Sequence, residues 1–216
     1  MGPEKVPLIQ KAAIEETNQQ GKLVITATQM LESMIHSAFP TRAEASDVAN
    51  AVLDQTDAVM LSGETAVGDH PELVVQTMAR IVEEVEQSER YFAGSEALPP
   101  VDLHVSSNAV AHAASAAARH VNAKAIVCLS GHGGSPRLAS DYRPPMPIVA
   151  LSRYPEICHR LAAWWGVIPI PFERADNVEE NLRRVDAVLK ERGFAEPGDA
   201  VIVTFVLPTE CGDHTN

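Results

Sequence analysis

The stretch Val24–Val67 most constrains the fold, because short apolar runs alternate there with an amphipathic segment. Val24–Ala27 is mostly apolar and is typical of a buried strand, and Ala58–Leu61 is a second run of this kind. Between them, apolar residues recur every three or four positions from Arg42 to Asp54, which predicts a helix. Each apolar run leads into a polar turn. This strand, helix, strand order predicts a parallel sheet covered by helices.

Two further helices are predicted around this stretch. The first spans Glu4–Gln20 and ends at Gly21, and the second spans about Pro71 to Tyr91 with an apolar stripe along one side. The residues that follow have mixed polarity and paired prolines, as expected of a linker. We therefore predict a first domain over residues 1–95, a linker over 96–105 and a second domain over 106–216.

The second domain repeats the alternation of strands and helices. An alanine-rich helix at Ser106–Arg119 opens it, and helices separate the four strands that follow. Those strands are predicted at Lys124–Leu129, Pro147–Leu151, Val167–Pro169 and Ala200–Phe205. This pattern again predicts a parallel sheet covered by helices, so the whole chain is assigned to the α/β class.

Composition limits the partners and the compartment. The chain carries 17 Lys plus Arg and 29 Asp plus Glu, for a net charge of −12. Such a charge disfavours nucleic acid and anionic membranes as partners. No apolar run approaches the length of a membrane span, and the histidines form no metal-binding set. Three isolated cysteines, Cys128, Cys158 and Cys211, fit a reducing cytoplasm.

Polar residues at the ends of the first two strands are the candidates for chemistry, because active groups of parallel α/β folds sit there. The hydroxyl of Thr28 could bind an enolate or phosphate oxygen, or hold a water for proton transfer. It could also close a strand-to-helix turn, which is the interpretation that spacing alone favours. Ser62 could cap a short helix that contains Glu64. Arg42 would ordinarily begin a solvated helix, with an exposed ion pair to Glu44.

A glycine-rich turn, Ser130–Ser135, is the second candidate. It follows a predicted strand and precedes a helix, so its backbone N–H groups and hydroxyls could bind an anion. The residues alone fit a phosphate site and a plain tight turn equally well.

The segments ATQMLESM and PTRAEASDVANAVLDQTDAVMLSGETAVG, together with Lys124–Ser140, closely resemble pyruvate kinase. The resemblance runs from about Glu4 to the end of the sequence. It implies a remnant of a (β/α)8 barrel, comprising its last two βα units, followed by a parallel three-layer α/β domain. It also implies the reaction of phosphoenolpyruvate with ADP to give pyruvate and ATP, the last step of glycolysis.

The resemblance assigns roles to the candidates in the first domain. Thr28 matches a threonine of the substrate site, where it is the catalytic candidate. Gln29, Met30 and Glu32 match the rest of that motif and would shape its loop. Ser62 and Glu64 would support the wall of the substrate site. Arg42 would lie near a subunit contact, which implies an oligomer interface.

In the second domain the resemblance implies an allosteric site for a sugar phosphate or nucleotide effector. Ser130, Gly133 and Ser135 match a turn that binds the effector phosphate. His132 and Gly134 stand where the family commonly has a hydroxyl residue and a larger residue. The last residues, Gly212–Asn216, resemble a loop that closes over the effector, although the carboxylate of Asp213 would repel a phosphate.

The family uses Mg²⁺ and K⁺, and the residues that hold them would lie N-terminal to the part present here. We therefore expect this chain to be inactive alone and to act as a homo-oligomer or with a complementing N-terminal part. Two other readings remain open. The chain could be a regulatory module that binds a phosphorylated metabolite, or a fragment that only makes oligomer contacts.

Overall fold

The computed structural model describes residues 2–27, 29–95 and 105–205. The chain divides into two compact units, Met1–Leu98 (unit 1) and Pro99–Asn216 (unit 2). Most of the predicted linker lies outside the described residues; at its end, Val105 already belongs to a helix. No helix within the described residues is long and apolar enough to cross a membrane.

Unit 1 contains two parallel strands and five α-helices among its described residues. In chain order they are α1 (Val6–Gln19), β1 (Ile25–Ala27), α2 (Arg42–Leu53), β2 (Ala58–Met60), α3 (Gly63–Ala66), α4 (Pro71–Glu86) and α5 (Glu89–Ser95). A short 3-10 helix, Glu32–Ile35, lies between β1 and α2. β1 and β2 pair in parallel with Thr26 opposite Val59, which confirms the predicted strand order.

Among the described residues, helices α2 and α4 pack on one face of this two-stranded sheet. Val59 packs in a core that includes Val48 of α2 and Val74 of α4. Because side chains alternate along a strand, the neighbours of Val59 and Thr26 point to the opposite face. There Ile25 is 50% exposed and Met60 is 42% exposed. Within the described residues, the opposite face of the sheet is therefore apolar and partly exposed.

The predicted single helix from Pro71 to Tyr91 is wrong, because the structure divides it into α4 and α5. The hydroxyl of Ser88 donates a hydrogen bond to the Val85 carbonyl at 2.6 Å and accepts one from the Tyr91 N–H at 3.3 Å. Ser88 thus closes one helix and supplies a side-chain acceptor to the first turn of the next.

Unit 2 contains a four-stranded parallel sheet in the order β5-β4-β3-β6. Its elements are α6 (Val105–His120), β3 (Ile126–Leu129), α7 (Gly134–Asp141), β4 (Ile148–Ser152), α8 (Pro155–Leu161), β5 (Val167–Pro171), α9 (Val178–Glu191) and β6 (Ile202–Phe205). The four strands are those predicted, with shifted ends. α8 ends at Leu161, before Trp164 and Trp165.

This sheet has an apolar core on each face. Ile126 and Cys128 of β3 pack with Leu161 of α8 in one core, whereas Val127 packs with Val185 of α9 in the other. β3 and β4 are buried along their whole lengths, as is typical of central strands covered on both faces. The three-layer α/β arrangement is confirmed.

Candidate functional site

The two strands of unit 1 leave their sheet at the same edge. Ala27, the last residue of β1, pairs with Met60, the last residue of β2. Thr28 follows Ala27 in the sequence but lies outside the described residues. The residues next along the chain, from Gln29 onward, form the loop between β1 and α2. The motifs that follow the two strands therefore begin side by side.

The three loop candidates after Thr28 have different environments. Gln29 is exposed and has a positive φ of 52°, so the chain turns sharply there. Met30 is buried in the core of unit 1 beside Leu31, which is fully buried. Glu32 is exposed and begins the 3-10 helix. Met30 and Leu31 anchor this loop by packing, while Gln29 and Glu32 remain open to solvent.

Glu64 is buried, with 3% of its surface exposed, and both of its carboxylate oxygens accept backbone hydrogen bonds. Oε1 accepts from the N–H of Leu31 at 3.2 Å, and Oε2 accepts from the N–H of Ser62 at 2.8 Å. Burial raises the pKa of Glu64, but hydrogen bonds from its own backbone, Ser62 and Leu31 outweigh burial and lower the pKa overall. The side chain therefore bridges the turns that follow β1 and β2.

Ser62 occupies the position before α3, but its side chain makes no capping hydrogen bond. The reading of Ser62 as a side-chain cap is therefore wrong. The Glu64 carboxylate, two residues further on, accepts from the Ser62 N–H instead. Glu64 thus supplies the side-chain acceptor for a backbone N–H at the start of α3.

Glu44 binds the same loop from α2. Its carboxylate accepts hydrogen bonds from the N–H and hydroxyl of Ser33, at 2.7 and 2.6 Å. It also accepts from the N–H and hydroxyl of Thr41, at 2.7 and 2.9 Å, which completes a capping box. Burial raises the pKa of Glu44, but these four hydrogen bonds lower it overall. Among the described residues Glu44 forms no ion pair with Arg42, so that expectation was wrong.

Sequence reasoning missed Gly68 and Asp69, which hold the far end of the loop. The Asp69 N–H donates to the Ile35 carbonyl at 2.8 Å, and its carboxylate lies 3.0 Å from Nδ1 of His36. A Cβ on Gly68 would lie only 2.2 Å from the Glu64 carbonyl oxygen, so this position needs glycine. The Thr41–Glu44 capping-box pattern is readable from sequence, but it indicates the start of α2 and gives no signal for Gly68 or Asp69.

The glycine-rich turn lies at the carboxyl end of β3 in unit 2. The Ser130 N–H donates to the Leu151 carbonyl at 3.0 Å, and the Ser130 hydroxyl accepts from the Gly133 N–H at 2.9 Å. Gly133 is left-handed (φ 80°), and a Cβ there would lie 3.3 Å from Ile157 and Leu161 side chains. The turn is therefore closed on itself and packed against α8.

The outer side of this turn is open. His132 and Gly134 are exposed, and Ser135 is partly exposed in the first turn of α7. The first N–H groups of a helix have no acceptor within it, so they could bind an anion. Sequence reasoning missed Arg153, whose guanidinium lies 4.8 Å from the Tyr154 ring centroid. A Cβ on Gly131 would lie 4.0 Å from that same ring.

The carboxylates near the ends of β1 and β2 do not fit a metal ion. Glu44 and Glu64 are engaged by backbone and hydroxyl donors. In residues 2–27, 29–95 and 105–205, no group of three or more His, Cys, Asp or Glu side chains could hold a metal. The described residues therefore include part of a polar loop but contain no metal site.

Comparison with known proteins gives consistent matches along the sequence. Residues 1–75 match the family described as pyruvate kinase, barrel domain, and residues 108–216 match pyruvate kinase, alpha/beta domain. The pyruvate kinase of Clostridium acetobutylicum is 40% identical over 214 residues, which are 99% of this chain and 45% of that protein. The pyruvate kinase of Mycobacterium tuberculosis is 39% identical over 216 residues, 44% of its length.

Solved structures agree with the sequence matches. The crystal structure of a pyruvate kinase from Cryptosporidium parvum matches with a TM-score of 0.87 and 40% sequence identity. The match covers 95% of this chain and 42% of that one. The chain thus spans less than half the length of the relatives it matches.

Proposed function

This chain belongs to the pyruvate kinase family, and on that premise we propose that it supplies part of the site where a phosphoryl group passes from phosphoenolpyruvate to ADP. The observation that carries the proposal is the side-by-side exit of β1 and β2, with the Thr28 motif after one strand and the Ser62–Glu64 turn after the other. We assign this contribution to a first domain over residues 1–95.

Thr28 is the proposed catalytic residue, whose hydroxyl would bind an enolate or phosphate oxygen or hold a water for proton transfer. Gln29, Met30 and Glu32 complete its loop, and Ser62 and Glu64 support the wall. Phosphoryl transfer needs cations to neutralise charge on the transferring group. The Mg²⁺ and K⁺ of the family are not assigned to any residue, because no group of carboxylates among the described residues fits them.

We propose that this chain alone does not catalyse phosphoryl transfer from phosphoenolpyruvate to ADP. A two-stranded parallel sheet cannot close into a barrel, and its open face carries Ile25 and Met60. Exposed apolar surface of this kind favours association. The missing cover would come from an N-terminal barrel part or from another copy of the chain, and Arg42, which is exposed at the start of α2, is a proposed interface residue.

A chimera tests this role directly. The residues of the Clostridium acetobutylicum enzyme that precede the matched segment would be joined to this chain, and pyruvate formation from phosphoenolpyruvate and ADP would be measured. We expect turnover by the chimera, and a loss of about 100-fold or more on Thr28→Ala. Undiminished turnover by the folded Thr28→Ala chimera would remove Thr28 from the mechanism.

The second candidate function is a regulatory one, over residues 106–216. The glycine-rich turn favours it, because Gly134 is exposed, Ser135 is partly exposed, and the first N–H groups of α7 have no acceptor within the helix. A sugar phosphate or nucleotide would bind there through its phosphate, with Ser130, His132, Gly133 and Gly134 forming the rest of the turn.

Isothermal calorimetry of the purified chain against fructose bisphosphate, AMP and inorganic phosphate tests the regulatory site. We expect binding that disappears on Ser135→Ala and persists on Ser106→Ala, a serine exposed on α6. No heat from a folded protein would leave oligomer contact as the role of this unit. Free, buried Cys128 and Cys158 support a reducing cytoplasmic setting for either function.

A further inference from the structure

The loop from Leu31 to His36 is held by side chains or backbone of three neighbouring segments. Glu64, after β2, binds its first residue through the Leu31 N–H at 3.2 Å. Glu44, in the first turn of α2, binds its middle through Ser33. Asp69, before α4, binds its end through the Ile35 carbonyl and His36. The loop position is therefore set by residues from the second βα unit as well as the first.

Glu64 differs from Glu44 and Asp69 in two respects. It is buried, and each of its carboxylate oxygens accepts a hydrogen bond from the backbone after a different strand. Oε1 accepts from Leu31, in the loop after β1, and Oε2 accepts from Ser62, directly after β2. Leu31 itself is fully buried, so its N–H has no access to water as an alternative acceptor. The Glu64 carboxylate is the acceptor for both N–H groups.

We propose that Glu64 is a positioning residue that fixes the Thr28 loop relative to the turn after β2, instead of a wall residue that contacts substrate. This inference rests on the proposed role of Thr28. Leu31 is three residues beyond Thr28, and Gln29 makes the sharp turn between them. A shift of the Leu31 amide would therefore move the chain on which Thr28 lies. Glu44 fixes the same loop two residues further on, at Ser33.

The chemistry explains why a carboxylate stands at position 64. An ionised carboxylate only accepts hydrogen bonds, so it suits two N–H donors at once. The amide of glutamine has nearly the same shape but one oxygen, and its NH₂ group would face the other N–H donor. Glu64→Gln therefore removes one of the two bonds with little change in volume. The negative charge of Glu44 raises the pKa of Glu64 and so opposes its ionisation.

Backbone amide NMR of the purified chain tests the proposal without requiring catalysis. In Glu64→Gln we expect amide hydrogen exchange at Leu31 or Ser62 to rise about tenfold, the equivalent of one lost hydrogen bond. Exchange in the middle of α2 should not change. Glu72→Gln, which removes an exposed charge from the first turn of α4, is the matched control and should leave Leu31 and Ser62 unchanged. Unchanged exchange at both amides in folded Glu64→Gln would overturn the proposal.

If Glu64→Gln fails to fold, a pH titration of the unmodified chain followed by NMR tests the proposal instead. The amide signals of Leu31 and Ser62 should shift with the same midpoint as the side-chain carboxyl carbon of Glu64. Amides that do not follow the Glu64 carboxyl would also overturn the proposal. An inactive chimera would instead count against the proposed function, so the two failures are distinguishable.

Discussion

The carboxylate of Glu64 accepts a hydrogen bond from the backbone N–H of Leu31, which lies 33 positions earlier in the sequence. The bond links the loop after β1 to the turn after β2. Since Glu64 and Leu31 are both buried, loss of the Glu64 carboxylate would leave the Leu31 N–H without an acceptor, at a cost of about 1–3 kcal/mol. The geometry of the proposed substrate loop thus depends on the next βα unit.

Acid should destabilise unit 1 through Glu44 and Glu64. The pKa of each is lower in the folded chain than in the unfolded chain, where it is about 4.3. Their contribution is complete above the unfolded pKa and is lost as the pH falls through the folded pKa. Urea unfolding between about pH 6 and pH 3 should show a smaller loss of stability in Glu44→Gln than in the parent chain.

Trp164 and Trp165 both lie in unit 2, so tryptophan fluorescence does not report on the unfolding of unit 1. The unfolding of unit 1 is therefore followed by its own amide NMR signals, for example those of α2 and α4. Glu72→Gln should keep the acid sensitivity of the parent chain. Equal loss of stability in the parent chain and in Glu44→Gln would show that the Ser33 and Thr41 bonds contribute nothing to this effect.

Gly68→Ala should destabilise unit 1 by about 1–3 kcal/mol. The added Cβ would lie 2.2 Å from the Glu64 carbonyl oxygen, so the backbone between α3 and α4 would have to move. Gly63→Ala is the matched control, because its Cβ would meet only the end of the Ile35 side chain at 3.4 Å. Chemical denaturation of both variants checks this, and equal stabilities would contradict the close approach at Gly68.

Thr41→Ala should cost unit 1 about 1 kcal/mol of stability, whereas Thr41→Ser should be close to the parent chain. The Thr41 hydroxyl accepts from the Glu44 N–H at 3.2 Å and donates to the Glu44 carboxylate. Serine keeps both bonds and alanine loses both. Amide exchange in the first turn of α2 measures the effect, and it should rise in the alanine variant alone. A serine variant as unstable as the alanine variant would refute the capping box.

Cys128 and Cys158 should be unreactive in the folded chain. Burial raises the pKa of Cys128 to about 11 and also raises that of Cys158, so neither forms much thiolate near neutral pH. In a Cys211→Ser background, Ellman's reagent should label neither thiol quickly at pH 8 and both after denaturation in guanidinium. Rapid labelling of the native protein would contradict the burial of β3 and α8.

Local patterns in the sequence were enough to predict the α/β class, the parallel strands and most helices. β3 and β4 are continuous apolar runs, and α9 begins after Asn177, whose side chain accepts from the Glu180 N–H as a helix cap. Family resemblance added the identity of the two units. These features depend on residues close together in the sequence, so periodicity and capping patterns reveal them.

The site could be predicted only in part, because its contacts join distant positions. Nothing local to Glu64 indicates that it binds Leu31, and nothing local to Asp69 indicates that it binds Ile35. Glu44 resembled an exposed partner of Arg42 because the residue it binds outside α2, Ser33, lies eleven positions away. The break between α4 and α5 was also missed, because a serine such as Ser88 is compatible with a continuous helix.

Steady-state pyruvate formation by the purified 216-residue chain, with phosphoenolpyruvate, ADP, Mg²⁺ and K⁺ supplied, is the most direct test of the central claim. We propose that the chain holds part of a pyruvate kinase site and cannot transfer the phosphoryl group by itself. We predict no turnover above the protein-free rate, from a sample whose amide spectrum shows both units folded. Clear turnover that is lost on Thr28→Ala would contradict the claim, because the chain would then contain a complete active site.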